Sequence, residues 1–248
     1  MGKETIGVLS IAGFDPSGGA GILADVKTIE AHKVQGMGVV SALTFQNDAE
    51  FEGMKWISEE EILKQIMVLE RRFEFAAVKI GLIQSLDVLD AVLLYCKQEA
   101  SSVIWDPIIS ASAGFEFHKK FDKGKLFSVL EKCFLITPNT NEVKFMTGIN
   151  NPMEAAEELS GFCNVLLKGG HNQEDPGVDY LFIGGKVEKI LPSGENISPK
   201  HGSGCVLSSA IASNLALGDD LVTACRKAKK YVEKFLAGNP SLLGVHHV

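Results

Sequence analysis

The sequence predicts an α/β fold in which helices cover both faces of a mostly parallel central sheet. Two observations point to it: short runs that are apolar on both faces recur along the chain, and amphipathic helical segments separate them. Composition agrees, because 46% of the 248 residues are hydrophobic and 22% are charged, which excludes a disordered or collagen-like chain. Neither a shift in composition nor an internal repeat divides the sequence, so we expect a single domain over residues 1–248.

Each predicted strand is a short apolar run, partly β-branched, that ends at a polar or glycine-rich turn. In chain order, these runs are residues 6–12, 38–46, 75–80, 102–105, 134–137 and 165–167. A two-stranded hairpin of residues 180–184 and 186–190 should follow, turning at Gly184 and Gly185. In folds of this class ligands bind at the carboxyl ends of the strands, so we expect the loops there to carry the function.

The predicted helices alternate with these strands and show apolar residues at helical spacing. The clearest helix N-terminus is a capping box at Ser58 and Glu61. Ile62, Ile66 and Leu69 follow it at helical spacing on one face. Further helices are expected over residues 22–32, 86–96, 123–132, 153–159, 204–217 and 219–236, and after Asn139. This alternation is typical of a parallel sheet whose crossover helices lie on its faces.

Charge and cysteine usage narrow the class of partner and the compartment. The chain has 24 basic and 31 acidic residues, a net charge of −7, and no basic stripe, so we do not expect nucleic acid as a partner. Its five cysteines are odd in number and form no C-x-x-C pair, which favours reduced thiols over a disulfide framework or a zinc site. No stretch approaches the roughly 18 apolar residues of a membrane span, and the first residues lack the apolar run of a secretory signal. A cytoplasmic protein is therefore expected.

The most informative loop is the run of residues 201–205 (HGSGC), which opens a predicted helix. Its two glycines let successive backbone N–H groups converge, and the helix dipole adds partial positive charge. These groups predict a site for phosphate, or for the charge that develops during phosphoryl transfer. Cys205 falls in the first turn, where a thiolate is stabilised. A tight turn with a small buried cysteine is the alternative interpretation.

A second candidate is the glycine-rich turn of residues 13–21, which suits a close approach of the backbone to a ligand. It resembles a dinucleotide fingerprint only weakly, because its first glycine stands six positions before the G-x-G pair, and the chain has no Walker A motif. Asp25, on the following helix, is either a pocket acceptor or part of a solvated face. Gln46, at the end of a strand, offers an amide that can pair with an amino-heterocycle.

Polar side chains at the ends of later strands fit a Mg²⁺ site and a phosphate contact. Asp106 ends the fourth strand, and Asn139 and Glu142 begin the helix after the fifth. Carboxylates in such positions fit Mg²⁺, although Asn139 as a helix N-cap with Glu142 as its capping-box partner is the structural alternative. Lys168 ends another strand and either meets phosphate as a point charge or lies in solvent before a turn.

Six motifs together carry a resemblance to a known family. They are DPSGGAGILADVKT (residues 15–28), ALTFQN (42–47), KIGLI (79–83), TPNTNE (137–142), LKGGH (167–171) and HGSGC (201–205). In this order they resemble hydroxymethylpyrimidine/phosphomethylpyrimidine kinases, thiamine-pathway members of the ribokinase-like superfamily. The closing residues 244–247 (GVHH) are similar to the end of that family, so the resemblance spans essentially the whole chain.

The resemblance implies a ribokinase-like fold, usually dimeric, and ATP-dependent phosphorylation of 4-amino-5-hydroxymethyl-2-methylpyrimidine and then of its monophosphate. It implies that the pyrimidine is held by Gly13, Asp25, Gln46 and Leu82. An anion hole is implied at Gly202, Ser203, Gly204 and Cys205, with Cys205 in the catalytic position. Mg²⁺ and the ATP phosphates are implied at Asp106, Glu142, Asn139, Lys168 and His201.

For the mechanism, we expect Cys205 to be a thiolate near neutral pH and to draw the proton from the substrate hydroxyl. The backbone amides of residues 202–205 would stabilise the transferring group. Two segments depart from the family: Ser198-Pro199-Lys200, where relatives often carry an Asn-Thr or Thr-rich stretch, and residues 108–117, at the position of a flap.

Three other functions remain open at this point. A pyridoxal kinase of the same superfamily would use the same anion hole, although Gln46 favours an aminopyrimidine because pyridoxal has no amino donor beside a ring nitrogen. A thiol acyltransferase or hydrolase would use Cys205 with His201, but the sequence supplies no third orienting group. A catalytically silent pyrimidine sensor is disfavoured by the intact set Asp106, Asn139 and Glu142.

Overall fold

In the computed structural model, which describes residues 6–96, 102–111, 114–170, 175–193 and 198–246, nine strands form one sheet. The strands are β1 (Ile6–Phe14), β2 (Gln35–Gln46), β3 (Phe51–Trp56), β4 (Glu74–Ile80), β5 (Ser102–Trp105), β6 (Leu135–Ile136), β7 (Asn164–Leu167), β8 (Asp179–Ile183) and β9 (Lys186–Ile190). His171, His247 and residues 112–113, which belong to segments singled out above, lie outside the described residues.

The sheet order is β3-β2-β1-β4-β5-β6-β7-β8-β9. Strand β1 pairs in parallel with β2 and β4, and parallel pairing continues from β4 to β7. The hairpin β8–β9 is antiparallel, and its turn residues Gly184 and Gly185 both have positive φ. The predicted fold class is confirmed. Because the chain moves to opposite sides of β1 for β2 and β4, a crevice is expected at the carboxyl end of β1.

Strand β3 was not predicted from the sequence. It pairs antiparallel with β2 and forms one edge of the described sheet. Its residues alternate between half-buried and exposed positions, with Glu52 and Lys55 exposed. An edge strand open to solvent carries no continuous apolar run, so the signal that marked the central strands is missing here.

Eight helices lie between or after the strands in the described residues. They are α1 (Gly21–Ala31), α2 (Glu59–Glu70), α3 (Leu86–Cys96), α4 (Lys123–Leu130), α5 (Thr140–Thr147), α6 (Pro152–Ser160), α7 (Ser203–Ala216) and α8 (Leu221–Ala237). The predicted capping box of α2 forms, since Ser58 Oγ accepts from Glu61 N–H and a Glu61 carboxylate oxygen accepts from Ser58 N–H at 3.0 Å. The helix predicted to begin near residue 204 begins at Ser203, with Gly202 as its N-cap.

Two apolar clusters hold the layers together. One packs side chains of α2 to α6 against the sheet, for example Ile62, Leu89 and Leu159. The other packs α7 and α8 against the same strands, with Ile211 and Phe235 among its members. Helix α7 is buried around most of its surface, which suits its run of alanines and serines and fixes the position of its first turn. No helix among the described residues is long and apolar enough to cross a membrane.

Candidate active site

A cavity of about 700 Å³ opens where the carboxyl ends of the parallel strands meet the start of α7. Gln46 from β2 and Leu82 after β4 line it on one side, and Asp179 from β8 and Lys229 from α8 line it on the other. Gly13, Asp106, Asn139, Glu142, Lys168, His201, Gly202, Ser203, Gly204 and Cys205 line it as well. The structure thus gathers twelve of the thirteen site residues named from the sequence around one space.

The loop before α7 has a backbone that only glycine accommodates. Gly202 has a φ of 74° and packs so closely that a Cβ atom there would lie 2.1 Å from the Gly19 carbonyl oxygen. A Cβ atom on Gly204 would lie 3.3 Å from Lys168 Nζ and 3.8 Å from an Asp106 carboxylate oxygen. The free N–H groups at the start of α7 therefore lie beside a lysine, which makes this corner of the cavity suited to an anion.

Lys168 and two carboxylates form a charged wall beside that helix start. Lys168 Nζ lies 2.8 Å from Asp106 Oδ1 and 3.6 Å from Glu142 Oε2. Asp106 is held further by Thr137 Oγ1, which donates at 3.0 Å, and by Ser208 Oγ on α7, at 3.3 Å. The alternative interpretation, a lysine in solvent before a turn, is therefore wrong. Lys168 lies between two acids at the edge of the cavity.

Burial and this lysine pull the pKa values of the two acids in opposite directions. Burial is the largest influence on Glu142 and, with the Asp106 charge, raises its pKa to about 7 despite Lys168. Burial also acts to raise the pKa of Asp106, but the charges of Lys168 and Lys79 and the hydrogen bonds from Lys168 and Thr137 hold it below its usual range. Asp106 is therefore the firmly ionised acid of the pair.

Asn139 and Glu142 also form the capping box that the sequence analysis gave as the structural alternative to a Mg²⁺ site. Asn139 Oδ1 accepts from Glu142 N–H at 2.9 Å, and Glu142 Oε2 accepts from Asn139 N–H at 2.6 Å, which is a complete capping box at the start of α5. Both residues nevertheless line the cavity. Capping fixes the Glu142 carboxylate at the wall, so the structural arrangement and a ligand contact are compatible.

Cys205 lines the cavity in the first turn of α7, but the structure contradicts the expected thiolate. Burial is the dominant influence and raises the pKa of the thiol to about 11, with further upward contributions from Asp25 and Asp106. The charge of Lys79 and a backbone hydrogen bond with Gly21 lower the pKa but do not offset burial. With its pKa raised in this way Cys205 is mostly protonated at pH 7, because burial outweighs the charge of Lys79 and the hydrogen bond with Gly21.

Asp25 is the site residue that the structure does not place on the cavity wall. Its side chain is fully buried, 2.7 Å from the equally buried Lys79 Nζ, and accepts hydrogen bonds from Ser10 and Ser209. In this structure the Asp25 side chain lies behind the cavity wall, and its expected contact with the pyrimidine stays a prediction. The carboxylate joins α1, the sheet and α7 behind the cavity, because a buried charge requires a partner and Lys79 is the one beside it.

Lys79 and Asp15 were missed in the sequence analysis. Lys79 stands in KIGLI within an otherwise apolar strand, a placement that itself signals a paired buried charge. Asp15 accepts hydrogen bonds from Ser17 and Ala20 and lies 2.9 Å from His201 Nε2. Within the described residues the hydrogen-bond partner of His201 Nε2 is Asp15, not Cys205, and His201 Nδ1 is buried without a partner. The Cys–His pair of a thiol hydrolase does not form.

Replacement of Asp15 should lower stability in a pH-dependent way. Burial acts to raise the pKa of Asp15. The hydrogen bonds with His201, Ser17 and Ala20 outweigh burial and leave the pKa below its usual value. A depressed pKa in the folded state stabilises the protein above the unfolded-state pKa of about 3.9, and this contribution is lost as the pH falls through the folded-state value. We expect Asp15→Asn to cost about 1–3 kcal/mol of unfolding free energy at pH 7.

Urea denaturation of both proteins between pH 3 and pH 7 measures this difference. The gap between wild type and Asp15→Asn should narrow as the pH falls below about 4. A gap of constant size over the whole range would show that the Asp15 charge contributes nothing to folding.

The chain is similar in sequence to known kinases. A sequence profile described as phosphomethylpyrimidine kinase matches residues 15–247. The chain is 32% identical over 236 residues to the hydroxymethylpyrimidine/phosphomethylpyrimidine kinase of Bacillus subtilis, covering 91% of this chain and 87% of that protein. It is 34% identical over 237 residues to a thiamine biosynthesis bifunctional protein of Geobacter sulfurreducens, where the match covers 91% of this chain and 48% of that longer protein.

Two solved kinase structures resemble this fold. The crystal structure of phosphomethylpyrimidine kinase from Clostridium difficile has a TM-score of 0.77 and 32% identity, over 92% of this chain and 97% of that chain. Pyridoxal kinase of Bacillus subtilis, in an ADP complex, has a TM-score of 0.78 and 25% identity, over 92% of this chain and 90% of that chain. The ribokinase-like fold is therefore confirmed. On the profile match and these identities, the chain belongs to the phosphomethylpyrimidine kinase family of phosphotransferases.

Proposed function

We propose that this kinase transfers the γ-phosphoryl group of ATP to 4-amino-5-hydroxymethyl-2-methylpyrimidine and then to its monophosphate, in thiamine biosynthesis. The printed names of the relatives from Bacillus subtilis and Geobacter sulfurreducens support this substrate class. The observation that carries the proposal is the single cavity that joins Gln46 and Leu82 to the glycine loop before α7 and to Lys168. One space thus offers an amide for an aminopyrimidine and a cationic corner for phosphate.

In this mechanism the chain mainly positions and neutralises charge, which is what phosphoryl transfer requires. Gln46 and Leu82 hold the pyrimidine so that its hydroxymethyl oxygen points to the start of α7. Lys168, kept protonated by Asp106 and Glu142, and the N–H groups of residues 202–205 stabilise the transferring group. Cys205 accepts the hydroxyl proton as a thiolate, which forms only after the thiol has lost its own proton to solvent. Burial, which raises the thiol pKa to about 11, makes this thiolate a minor species at pH 7.

The acids on the cavity wall fit a Mg²⁺ ion that arrives with the nucleotide. Mg²⁺ keeps several waters and uses one or two carboxylates together with substrate phosphates, and Asp106 and Glu142 supply two such oxygen donors. Among the described residues no group of three potential ligands occurs, which agrees with an ion held largely by phosphate. When bound, the ion neutralises charge on the ATP phosphates; Asp106 and Glu142 would hold it there.

Gln46→Ala tests the pyrimidine pocket. Loss of the amide removes a two-point hydrogen bond, so we expect KM for the pyrimidine to rise by about tenfold or more while KM for ATP stays unchanged. Steady-state ADP release with each substrate varied in turn gives both constants. Gln35→Ala, which is exposed at the amino end of β2 and outside the cavity-lining set, is the control. Unchanged affinity for the pyrimidine would remove Gln46 from the pocket.

Pyridoxal kinase remains a second candidate, favoured by the structural likeness to the Bacillus subtilis enzyme. Its substrate would occupy the same cavity. The Gln46 amide distinguishes the two, because it matches the amino group and adjacent ring nitrogen of the pyrimidine and has no equivalent partner on pyridoxal.

We also propose that the kinase is a cytoplasmic homodimer. All five cysteines are free thiols, as expected in a reducing compartment. Near the β3 edge of the sheet, Leu43 and Phe45 on β2 are exposed, and a second copy would cover such apolar side chains.

A further inference from the structure

Lys200 ends the segment Ser198-Pro199-Lys200, directly before the glycine loop of residues 201–205. It is 7% exposed and lines the cavity immediately before the glycine loop. Its ammonium donates to the Asn239 carbonyl oxygen, to Asn239 Oδ1 at 3.0 Å and to the Ser241 carbonyl oxygen at 2.5 Å. All three N–H donors of the lysine are therefore used on one segment of chain.

Among the residues that the structure describes, no acid balances the charge of Lys200. Its three acceptors are neutral oxygens, and no carboxylate within the described residues forms an ion pair with it. Lysine is rarely buried without an anion, because desolvation of the ammonium is costly. A cage of neutral oxygens is instead the environment in which proteins hold a desolvated monovalent cation such as K⁺.

The segment that Lys200 grips also touches both loops of the anion site. We name residues 239–243 the clasp. The clasp carbonyl of Leu242 accepts from His201 N–H at 2.9 Å, directly beside Lys200. The clasp side chain of Leu243 fills the space at Gly19, where a Cβ atom would lie 2.6 Å away. Gly19 in turn supplies the carbonyl oxygen against which Gly202 packs.

We propose that Lys200 is a positioning residue whose ammonium acts as a tethered monovalent cation: it gathers the clasp oxygens and so fixes Gly202 and the start of α7 for phosphoryl transfer. The cation is part of the chain, so the enzyme needs none from solution at this place. The inference rests on the proposed phosphotransfer at the α7 site and concerns how that site is held, not which alcohol it phosphorylates.

The test removes the Lys200 charge by substitution and then supplies a free monovalent cation in the buffer. Lys200→Met keeps most of the side-chain volume and should lower kcat by about tenfold or more, with KM for the pyrimidine nearly unchanged, because the pyrimidine end of the cavity is untouched. Lys200→Ala leaves a space between the clasp oxygens. Its activity should rise with added ammonium or K⁺ at constant ionic strength, and not with tetramethylammonium, which is too large. Lys234→Met, on the exposed face of α8, is the control and should behave as wild type.

A readout without turnover separates this proposal from the proposed function. The melting temperature of Lys200→Ala should rise with ammonium or K⁺ but not with tetramethylammonium, whereas that of the wild type should be the same in all three. Wild-type ADP release in the same buffers tests the proposed function on its own. The proposal is overturned if Lys200→Met keeps wild-type kcat, if Lys200→Ala is indifferent to the cation in both assays, or if the wild type itself depends on added K⁺.

Discussion

Cys205→Ala should lower kcat by about 100-fold or more while changing KM only modestly. The sulfur lies in the first turn of α7 on the cavity wall, so its loss removes the proton acceptor without opening the pyrimidine pocket at Gln46. Steady-state ADP release at saturating ATP measures the effect. The effect requires Cys205 as a thiolate, because a neutral thiol accepts no proton, and its raised pKa of about 11 makes that thiolate a minor species at pH 7.

Cys163→Ala is the matched control for the loss of a thiol. Cys163 immediately precedes β7, at the amino end of the strand, whereas the cavity lies at the carboxyl ends. It should retain wild-type kcat. Near wild-type turnover of Cys205→Ala would reject the role of the sulfur and leave catalysis to the backbone amides and Lys168 alone.

Lys168→Met should lower kcat/KM for ATP by about 100- to 1,000-fold. Two losses combine. The positive charge beside the start of α7 disappears, and Asp106 and Glu142 are left facing the cavity without their shared cation. The second loss raises the pKa of Glu142 further, because Lys168 is the main group that lowers it. Loss of a buried ion-pair partner is also expected to destabilise the fold by about 3–5 kcal/mol.

Kinetics of Lys168→Met are therefore to be measured below its melting temperature, with folding checked by circular dichroism. Lys144→Met, on the exposed side of α5, is the matched control, since it removes a lysine from the neighbourhood of Glu142 without touching the cavity wall. A folded Lys168→Met protein with wild-type kcat/KM for ATP would show that the anion site works without this charge.

The central sheet could be predicted from the sequence because each parallel strand is buried on both faces and so reads as an apolar run. Strand β5 was predicted to the residue, and α2 was fixed by the capping box at Ser58. Strand β3 was missed because one edge of the sheet is open to solvent, where selection for apolar side chains is absent. The sequence pattern therefore shows which segments are buried, and it predicts a strand only where that strand is buried.

The candidate site was predictable where chemistry coincides with a loop at a strand end. Gly202, Gly204, Asp106 and Lys168 were found in this way, and the structure brings them together. For Asp25 the sequence leaves two explanations open, because an acid in an apolar helical register is either a ligand contact or the partner of another buried charge. Only the three-dimensional neighbourhood, here Lys79, distinguishes them.

The ionisation of Cys205 was wrong for a related reason. The sequence shows a helix start, which favours a thiolate, but it does not show how deeply the first turn is buried. The electrostatic environment of the site depends on contacts between residues that are far apart in the sequence, such as Asp15 with His201 and Lys200 with the clasp. Such contacts follow from chain packing and have no local signature.

One ADP-release assay tests most directly whether the cavity joins a pyrimidine site to the anion site before α7. The hydroxymethylpyrimidine, its monophosphate and pyridoxal are offered in parallel with ATP. We predict turnover of both pyrimidines, with kcat/KM for the hydroxymethylpyrimidine about tenfold or more above that for pyridoxal, as the Gln46 amide requires. ADP release with pyridoxal alone, or with none of the three, would contradict the account.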